Sequence, residues 1–367
     1  MGTEQAGCGT APWGCAAQAG VPLVIMLCLF LALALYFSLQ VATPTRSRAS
    51  LGKTDGEGDE SAGVYDYEAR RALVRRNARA LLLVQGAVFV LSFPLIVVHR
   101  WLKTRPALTL MQVARDGLRC AISIVTATPQ KATPGVQGSL FSGEDSTCIR
   151  RTEEYILVYD DSAPAFTHGV VLLTGYLVDA DAALPLARLL ARGGIAVGVC
   201  RFPYAIPVDG SLVYFTMQSM RKALADRMAV STSDKNREPF EFTLLVHSAG
   251  ILAAIDSLRN RQVVAQIHGI VSMGCKPRQK IIDRGIKYLA IVGSHDAWAS
   301  PQDFIKWMEA DHEQRMPAKT AMTILPGANH RQFLSYEFQP WDLPASMDEA
   351  QQLQEVASIV HAFVAQV

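Results

Sequence analysis

Downstream of Arg150 the chain alternates short apolar runs with longer amphipathic stretches. The apolar runs predict strands at 155–159, 169–173, 195–200, 242–246, 267–273, 288–292 and 321–325. The stretches between them predict helices at 183–192, 213–228, 249–259, 301–313 and 347–367, the last with Ser346 and Glu349 in capping-box spacing. Several strands are unbroken runs of Val, Ile and Leu, typical of parallel strands covered on both faces. The pattern therefore predicts an α/β fold, a mostly parallel twisted sheet with helices on both faces.

Two uncharged runs in the first hundred residues are long enough to cross a bilayer. The run 21–42 holds 22 residues and the run 80–98 holds 19. A cleaved signal peptide is the alternative for the first run, but no Lys or Arg precedes it. A single buried or re-entrant segment is the alternative to two spans. We predict a membrane anchor region over 1–105, with transmembrane helices at about 21–42 and 80–98.

The basic residues around these runs predict the orientation of the anchor. Residues 43–79 carry eight Lys and Arg, whereas five follow the second run, up to Arg119. By the positive-inside rule the loop between the runs lies in the cytoplasm and the C-terminal part on the non-cytoplasmic face. Residues 106–150, rich in Thr, Gly, Ser and Pro in their second half, are predicted to be a linker to a domain at 151–367.

Composition and missing motifs exclude several classes of function. The net charge is +2, from 35 basic and 33 acidic residues, so the clustered basic excess of a nucleic-acid-binding protein is missing. None of the seven cysteines lies in a C-x-x-C pair, which argues against zinc and thioredoxin-like chemistry. No G-x-G-x-x-G follows the first strands, which argues against a dinucleotide enzyme. We therefore expect neither a metal nor a cofactor.

Three polar residues each follow a predicted strand. They are Ser248, within VHSAG, Asp296 and His330. Taken singly, they have ordinary explanations as a helix cap, a turn residue and a solvated loop residue. Because the carboxyl ends of parallel strands meet at one edge of a sheet, we expect the three side chains to lie together. A serine activated by an imidazole that a carboxylate orients is the catalytic triad of serine hydrolases. Asp256 and Asp342 are the alternatives to Asp296 as the acid.

Three longer segments carry a resemblance to a known family. They are GVVLLTGYLVDADAALPLARLLARGGIAVGVCRFP (169–203), AIVGSHDAWASPQD (290–303) and ILPGANHRQFLSY (324–336). They resemble the first strand–helix–strand unit, the acid loop and the histidine loop of the α/β-hydrolase superfamily, in its dienelactone-hydrolase-like branch. The resemblance covers residues 155–367 and implies an α/β-hydrolase fold. It also implies that Ser248 is the nucleophile, Asp296 the acid and His330 the base.

The same resemblance implies an oxyanion hole built from backbone amides. One donor would be Ala249, and the other would come from the turn 174–176, with Tyr176 as the first choice and Gly175 beside it. The sequence departs from the family pattern at Val246, where the family usually has glycine. Trp298 flanks the acid, and Phe333 flanks the base in the same way; these two aromatic residues either line an acyl pocket or belong to the core.

The sequence therefore predicts a membrane-anchored serine hydrolase that cleaves carboxylic esters, of small molecules or lipids, through an acyl-enzyme. A catalytically inactive hydrolase fold, used as an interaction module at the membrane, is the alternative that Val246 suggests. Transfer of the acyl group to an acceptor other than water would use the same triad. The expected partners are the ester substrate and the membrane, with no nucleic acid.

Overall fold

The computed structural model of the protein describes residues 109–126, 128–133, 140–141, 146–163, 166, 168–225, 240–276, 286–310 and 320–366, together with positions 82, 93 and 96–98. The chain divides into two compact units, Met1–Gly58 with Arg79–Thr126, and Asp59–Ala78 with Ala127–Val367. The predicted span at 21–42 lies outside the described residues, as does that at 80–98 apart from the positions just named. Among the residues described, no helix has both the length and the apolar character that crossing a membrane requires.

In the first unit, helix α1 (Leu110–Thr126) lies within the stretch predicted to be a linker. A reciprocal cap begins it: the Gln112 amide donates to Thr109 Oγ1 at 3.2 Å, and the Thr109 amide donates to Gln112 Oε1 at 2.8 Å. Apolar residues recur along the helix at spacings of three and four. The linker over 106–150 stays a prediction: α1 occupies most of the first half of that stretch, and the Thr-, Gly-, Ser- and Pro-rich composition lies after the helix.

The second unit is built on an eight-stranded sheet. Its strands are β1 (Thr147–Arg151), β2 (Tyr155–Asp160), β3 (His168–Leu173), β4 (Ala196–Cys200), β5 (Glu241–His247), β6 (Ile267–Met273), β7 (Lys287–Gly293) and β8 (Thr320–Leu325). Their order across the sheet is β1-β2-β4-β3-β5-β6-β7-β8. β2 pairs antiparallel with β1 and β4, and all the other neighbours pair in parallel. The seven predicted strands are confirmed to within one residue at each end.

Helices cover both faces of this sheet. They are α2 (Leu184–Arg192), α3 (Ser211–Ala223), α4 (Ile251–Ser257), α5 (Arg261–Val264), α6 (Pro301–Ala310) and α7 (Glu349–Val364). Side chains alternate between the faces along each strand. Val170 and Leu172 of β3 belong to the core under α2 and α7, whereas Val171 and Leu173 belong to the core under α3 and α4. The predicted mostly parallel sheet with helices on both faces is therefore confirmed.

The start of α7 and the first strand differ from the predictions. The N-cap of α7 is Asp348, whose carboxylate accepts two amides of the first turn. The Ser346 amide instead donates to the Gly327 carbonyl at 3.0 Å, and Glu349 accepts the Ser335 hydroxyl at 2.6 Å. Asp348, which lies nearer the helix, is therefore the N-cap in place of the predicted Ser346. β1 lies in the stretch predicted to be a linker. Its sequence TCIRR is only partly buried and lacks the apolar run by which a strand is predicted.

His168, at the start of β3, makes stability depend on pH. Its Nε2 lies 2.9 Å from Thr243 Oγ1, and burial, together with nearby His268, lowers its pKa from 6.5 to about 4. As the pH falls below 6.5, His168 takes up a proton in the unfolded chain, whereas in the folded chain it does so only near pH 4. We expect the free energy of unfolding to fall by about 3 kcal/mol across this window, and His168→Gln to remove that loss. Urea unfolding at about pH 7 and about pH 4.5 measures it. Equal pH dependence in the two proteins would contradict the assignment.

Candidate active site

Ser248 lies in the tight turn between β5 and α4. The strand ends at His247, and a single 3₁₀ turn, Ser248–Gly250, leads into the helix. The φ angle of Ser248 is 50°, in the left-handed region, which costs a residue with a side chain about 1 kcal/mol. Residues held in this region cluster at functional sites. The serine is only partly buried, and the strained turn sets it at the carboxyl edge of the sheet.

Gly250 allows this turn to close against the end of β3. A Cβ at Gly250 would lie 2.6 Å from the Leu173 carbonyl oxygen and 2.9 Å from the Thr174 carbonyl oxygen. Backbone segments this close leave no room for a side chain. The glycine therefore brings the turn that holds Ser248 next to the turn 174–176.

The turn 174–176, predicted to supply an oxyanion donor, lies directly against the serine. A Cβ at Gly175 would be 3.2 Å from Ser248 Cβ and 2.9 Å from His247 Nδ1. The structure thus brings Gly175, and with it the adjoining Tyr176, to Ser248 from the β3 side, while Ala249 follows the serine in the chain. The roles of Gly175, Tyr176 and Ala249 in an oxyanion hole stay predictions.

Asp296 and His330 form a buried, hydrogen-bonded pair. His330 Nδ1 lies 2.8 Å from Asp296 Oδ2, and the two residues are 1% and 2% exposed. The other carboxylate oxygen, Oδ1, accepts the amides of Trp298 at 2.8 Å and Ala299 at 2.7 Å, which fixes the plane of the carboxylate. When Nδ1–H donates to a carboxylate, a neutral imidazole carries its basic lone pair on Nε2. The pair therefore has the arrangement that a general base requires.

The residue that precedes Ser248 connects it to this pair. His247 is fully buried, its Nε2 lies 3.3 Å from the His330 carbonyl oxygen, and the two imidazole rings are 4.8 Å apart. Burial and the neighbouring His330 hold the pKa of His247 well below its usual value. A neutral His247 donates its Nε2–H to that carbonyl and packs against the His330 ring.

Gly274, which no sequence motif marks, lies against the Asp296–His330 pair. It follows β6 with a φ of 60°, and a Cβ there would be 2.7 Å from His330 Nδ1 and 2.8 Å from Asp296 Oδ2. Only a glycine both adopts this φ easily and leaves the hydrogen bond room. The sequence shows merely a glycine after a strand, and nothing local signals which loops approach it.

Gly274→Ala is expected to lower kcat about 100-fold, because the new methyl group displaces the imidazole or the carboxylate. Gly194→Ala is the matched control: its φ of 81° imposes the same kind of backbone strain, but no atom lies within 4 Å of the added Cβ. Steady-state kinetics on an ester substrate and thermal melting separate the two effects. Equal activity in the two variants would show that the close approach at Gly274 does not matter.

The alternative acids contact other groups. Asp256, on α4, accepts the Gly210 amide at 2.9 Å and pairs with Arg259 at 3.1 Å. Asp342 accepts the amide of Arg331 at 2.8 Å, and burial raises its pKa to about 6. Neither takes the position of Asp296 on His330 Nδ1. Asp342 nevertheless lies beside the histidine loop, where it contacts the residue that follows His330.

The two predicted pocket aromatics have different surroundings. Phe333 is fully buried and belongs to the hydrophobic core under α2 and α7. Trp298 is 38% exposed, stacks on Trp341 with ring centroids 5.7 Å apart, and lies 6.5 Å from the His330 ring. Of the two, only Trp298 presents a surface that a substrate can contact.

Comparison with known proteins agrees with this arrangement. A sequence profile described as "Alpha/beta hydrolase family" matches residues 169–354. The chain belongs to the α/β hydrolase family. The matched range contains Ser248, Asp296 and His330. The α/β-hydrolase fold implied by the resemblance is thereby confirmed.

Two solved structures are similar to this α/β hydrolase, at low identity. One is XC6422 from Xanthomonas campestris, an a/b serine hydrolase without lid, with 13% identity over 62% of this chain and 96% of that chain, and a TM-score of 0.37. The other is a predicted CIB-like hydrolase from Thermoplasma acidophilum, with 11% identity over 60% of this chain and 100% of that chain, and a TM-score of 0.40. No curated protein matches the chain.

The sheet of this α/β hydrolase accommodates Val246 in place of the family's glycine. Val246 is fully buried in β5, beside Leu173 of β3 on one side and Ser272 of β6 on the other. Ala290 of β7 stands next in the same row, so small side chains leave space for the branched one. Val246 is not among the described residues with positive φ, and its backbone therefore does not require glycine.

Within the described ranges, no group of three or more His, Cys, Asp or Glu side chains is placed to bind a metal ion.

Proposed function

We propose that this α/β hydrolase is a serine hydrolase that cleaves carboxylic esters, with Ser248 as nucleophile, His330 as base and Asp296 as acid. The observation that carries the proposal is the buried 2.8 Å contact between His330 Nδ1 and Asp296 Oδ2, together with the strained φ of Ser248, whose neighbour His247 packs on the His330 ring. A structural role for each residue alone would not require a buried, fully oriented carboxylate next to an imidazole.

The proposed reaction has two halves. Ser248 Oγ attacks the ester carbonyl carbon while His330 Nε2 takes its proton, and Asp296 stabilises the imidazolium that results. The C–O bond to the alcohol then breaks, and the imidazolium returns the proton to the departing oxygen. Water attacks the acyl-enzyme in the same way and regenerates the serine. Amides of Ala249 and the turn 174–176 would stabilise each tetrahedral oxyanion, at roughly 3 kcal/mol per donor.

A fluorophosphonate probe tests this function on the full chain. We expect covalent labelling of the folded protein, with the adduct on the peptide that contains Ser248, because the probe reacts with activated serines. Heat-denatured protein is the control and should stay unlabelled. A folded protein that the probe leaves unmodified would favour the alternative, an inactive hydrolase fold that serves as an interaction module.

We further propose that the enzyme belongs to the dienelactone-hydrolase-like branch and is anchored in a membrane, with its hydrolase domain on the non-cytoplasmic face. The motif GANHRQF supports the branch, and the uncharged runs at 21–42 and 80–98 support the anchor. A lipid ester would suit an enzyme held at a bilayer. Release of the full chain from membranes by alkaline carbonate would contradict the anchor, whereas release by detergent would not.

A further inference from the structure

Residues 340–346 lie beyond the histidine loop and are hydrogen-bonded to the loop that carries the acid. We call this segment the strap. Trp298 Nε1 donates to the Pro340 carbonyl at 2.7 Å. His295 Nδ1 lies 2.8 Å from the Pro344 carbonyl oxygen. One end and the middle of the strap are therefore held by the residues on either side of Asp296.

The strap is also hydrogen-bonded to the loop that carries the base. Asn329 Nδ2 donates to the Leu343 carbonyl at 2.9 Å, and the Arg331 amide donates to Asp342 Oδ2 at 2.8 Å. At its far end, the Ser346 amide donates to the carbonyl of Gly327. The first two contacts come from the residues immediately before and after the proposed base. The strap thus joins the acid loop and the histidine loop at several points.

Asp342 is the one residue of the strap with an ionisable side chain. Its carboxylate accepts the Arg331 amide, and its pKa is influenced by the charges of Asp296 from the acid loop and His330 from the histidine loop. The pKa of Asp342 is raised to about 6, chiefly by burial and also by the Asp296 carboxylate, while His330 acts in the opposite direction. The carboxylate is therefore ionised at neutral pH, close to the imidazole.

We propose that the strap positions the acid–base pair and that Asp342 is its main positioning residue, an inference that rests on the proposed function of that pair. Asp296 orients the imidazole ring, whereas Asp342 holds the backbone next to His330. Ionised Asp342 also places a second negative charge near the imidazole, which becomes positive when it takes the proton of the serine. The strap therefore fixes the geometry of the base and favours its protonated form.

Asp342→Asn tests this role, because the amide keeps an oxygen that accepts the Arg331 N–H but removes the charge. With a p-nitrophenyl ester as substrate, we expect kcat to fall about tenfold and KM to stay within about twofold of wild type. The acid limb of kcat/KM should move to lower pH by about half a unit or more, since the base loses a neighbouring negative charge. A purely structural role would not shift this limb.

Asp348→Asn is the matched control. Asp348 also accepts backbone amides through its carboxylate, as the N-cap of α7, but it is exposed and the amides that it accepts belong to the first turn of that helix. We expect this variant to keep the wild-type kcat and pH profile. If Asp342→Asn and Asp348→Asn have the same profile, the positioning role is overturned.

A nuclear magnetic resonance titration of ¹⁵N-histidine-labelled protein gives a readout that needs no activity. The His330 signal is assigned by its loss in His330→Gln, and Asp342→Asn should lower its titration midpoint. If Asp342→Asn leaves the midpoint unchanged, the positioning role of the strap is overturned, even when the enzyme is active. If Asp342→Asn shifts the midpoint but the wild-type chain hydrolyses no ester, the proposed function is refuted and the positioning role of the strap stands.

If Asp342→Asn does not fold, His295→Ala carries the test. The side chain of His295 is partly exposed and makes one of the contacts to the strap, so its removal should leave the fold intact. We expect a severalfold lower kcat with an unchanged KM and a shifted His330 resonance. Wild-type kcat together with an unchanged His330 resonance would overturn the proposal.

Discussion

Ser248→Ala is expected to lower kcat for a p-nitrophenyl ester by a factor on the order of 10⁵. The serine oxygen forms the acyl bond in the proposed reaction, and no other hydroxyl occupies the turn after β5. The residual rate would come from the amides that stabilise the oxyanion. Alanine keeps the Cβ and the φ of 50°, so the melting temperature should stay close to that of wild type. Initial rates and thermal melting measure the two quantities.

Ser257→Ala is the control for this substitution. Ser257 ends α4, the helix that follows the turn at Ser248, and its hydroxyl donates to the Ala254 carbonyl at 2.7 Å. Its replacement should cost about 1 kcal/mol of stability and leave kcat unchanged. If Ser248→Ala kept more than about one hundredth of the wild-type kcat, another nucleophile would have to be sought.

Asp296→Asn is expected to lower kcat by a factor of about 10⁴ while the fold is kept. The amides of Trp298 and Ala299 both donate to Oδ1, so an asparagine at this position places its carbonyl oxygen there. Its NH₂ group then faces His330 Nδ1, which must become an acceptor. The imidazole proton moves to Nε2, and that nitrogen no longer takes the proton of the serine. The pH–rate profile and kcat of the variant are the measurements.

Asp256→Asn is the matched control for the acid, since Asp256 is also buried and also accepts a backbone amide. We expect it to lower the melting temperature, through its contacts to Gly210 and Arg259, and to leave kcat within about threefold of wild type. A large loss of kcat in Asp256→Asn with a small loss in Asp296→Asn would reverse the assignment of the acid.

The parts of the fold with strong local patterns could be predicted from the sequence. The strand β6 agrees at both ends with the predicted 267–273, because an uninterrupted apolar run needs no tertiary context to be recognised. β1 could not be predicted in this way, since an edge strand with two exposed arginines lacks that run. The Thr109–Gln112 cap of α1 is a local signal for a helix, but the Thr-, Gly-, Ser- and Pro-rich stretch that follows favours a linker.

The candidate site shows the same division between local and distant signals. Ser248, Asp296 and His330 each follow a strand, so their order along the chain predicted that they lie together, and the structure places Asp296 against His330. Gly274 has no such signal, and the sequence marks Asp342 only as an alternative acid. Their importance depends on how closely loops distant in sequence approach one another, and a single sequence contains no distances.

Because the backbone of Ser248 is left-handed, the residue that favours stability at this position differs from the residue that the proposed reaction needs. Glycine adopts a φ of 50° without a steric penalty, so Ser248→Gly would relieve about 1 kcal/mol of strain and also remove the proposed nucleophile. A search for thermostable variants that ignored activity would therefore be drawn to this position. A stabilised but inactive protein from such a search would identify the point at which this fold gives up stability to hold a reactive serine.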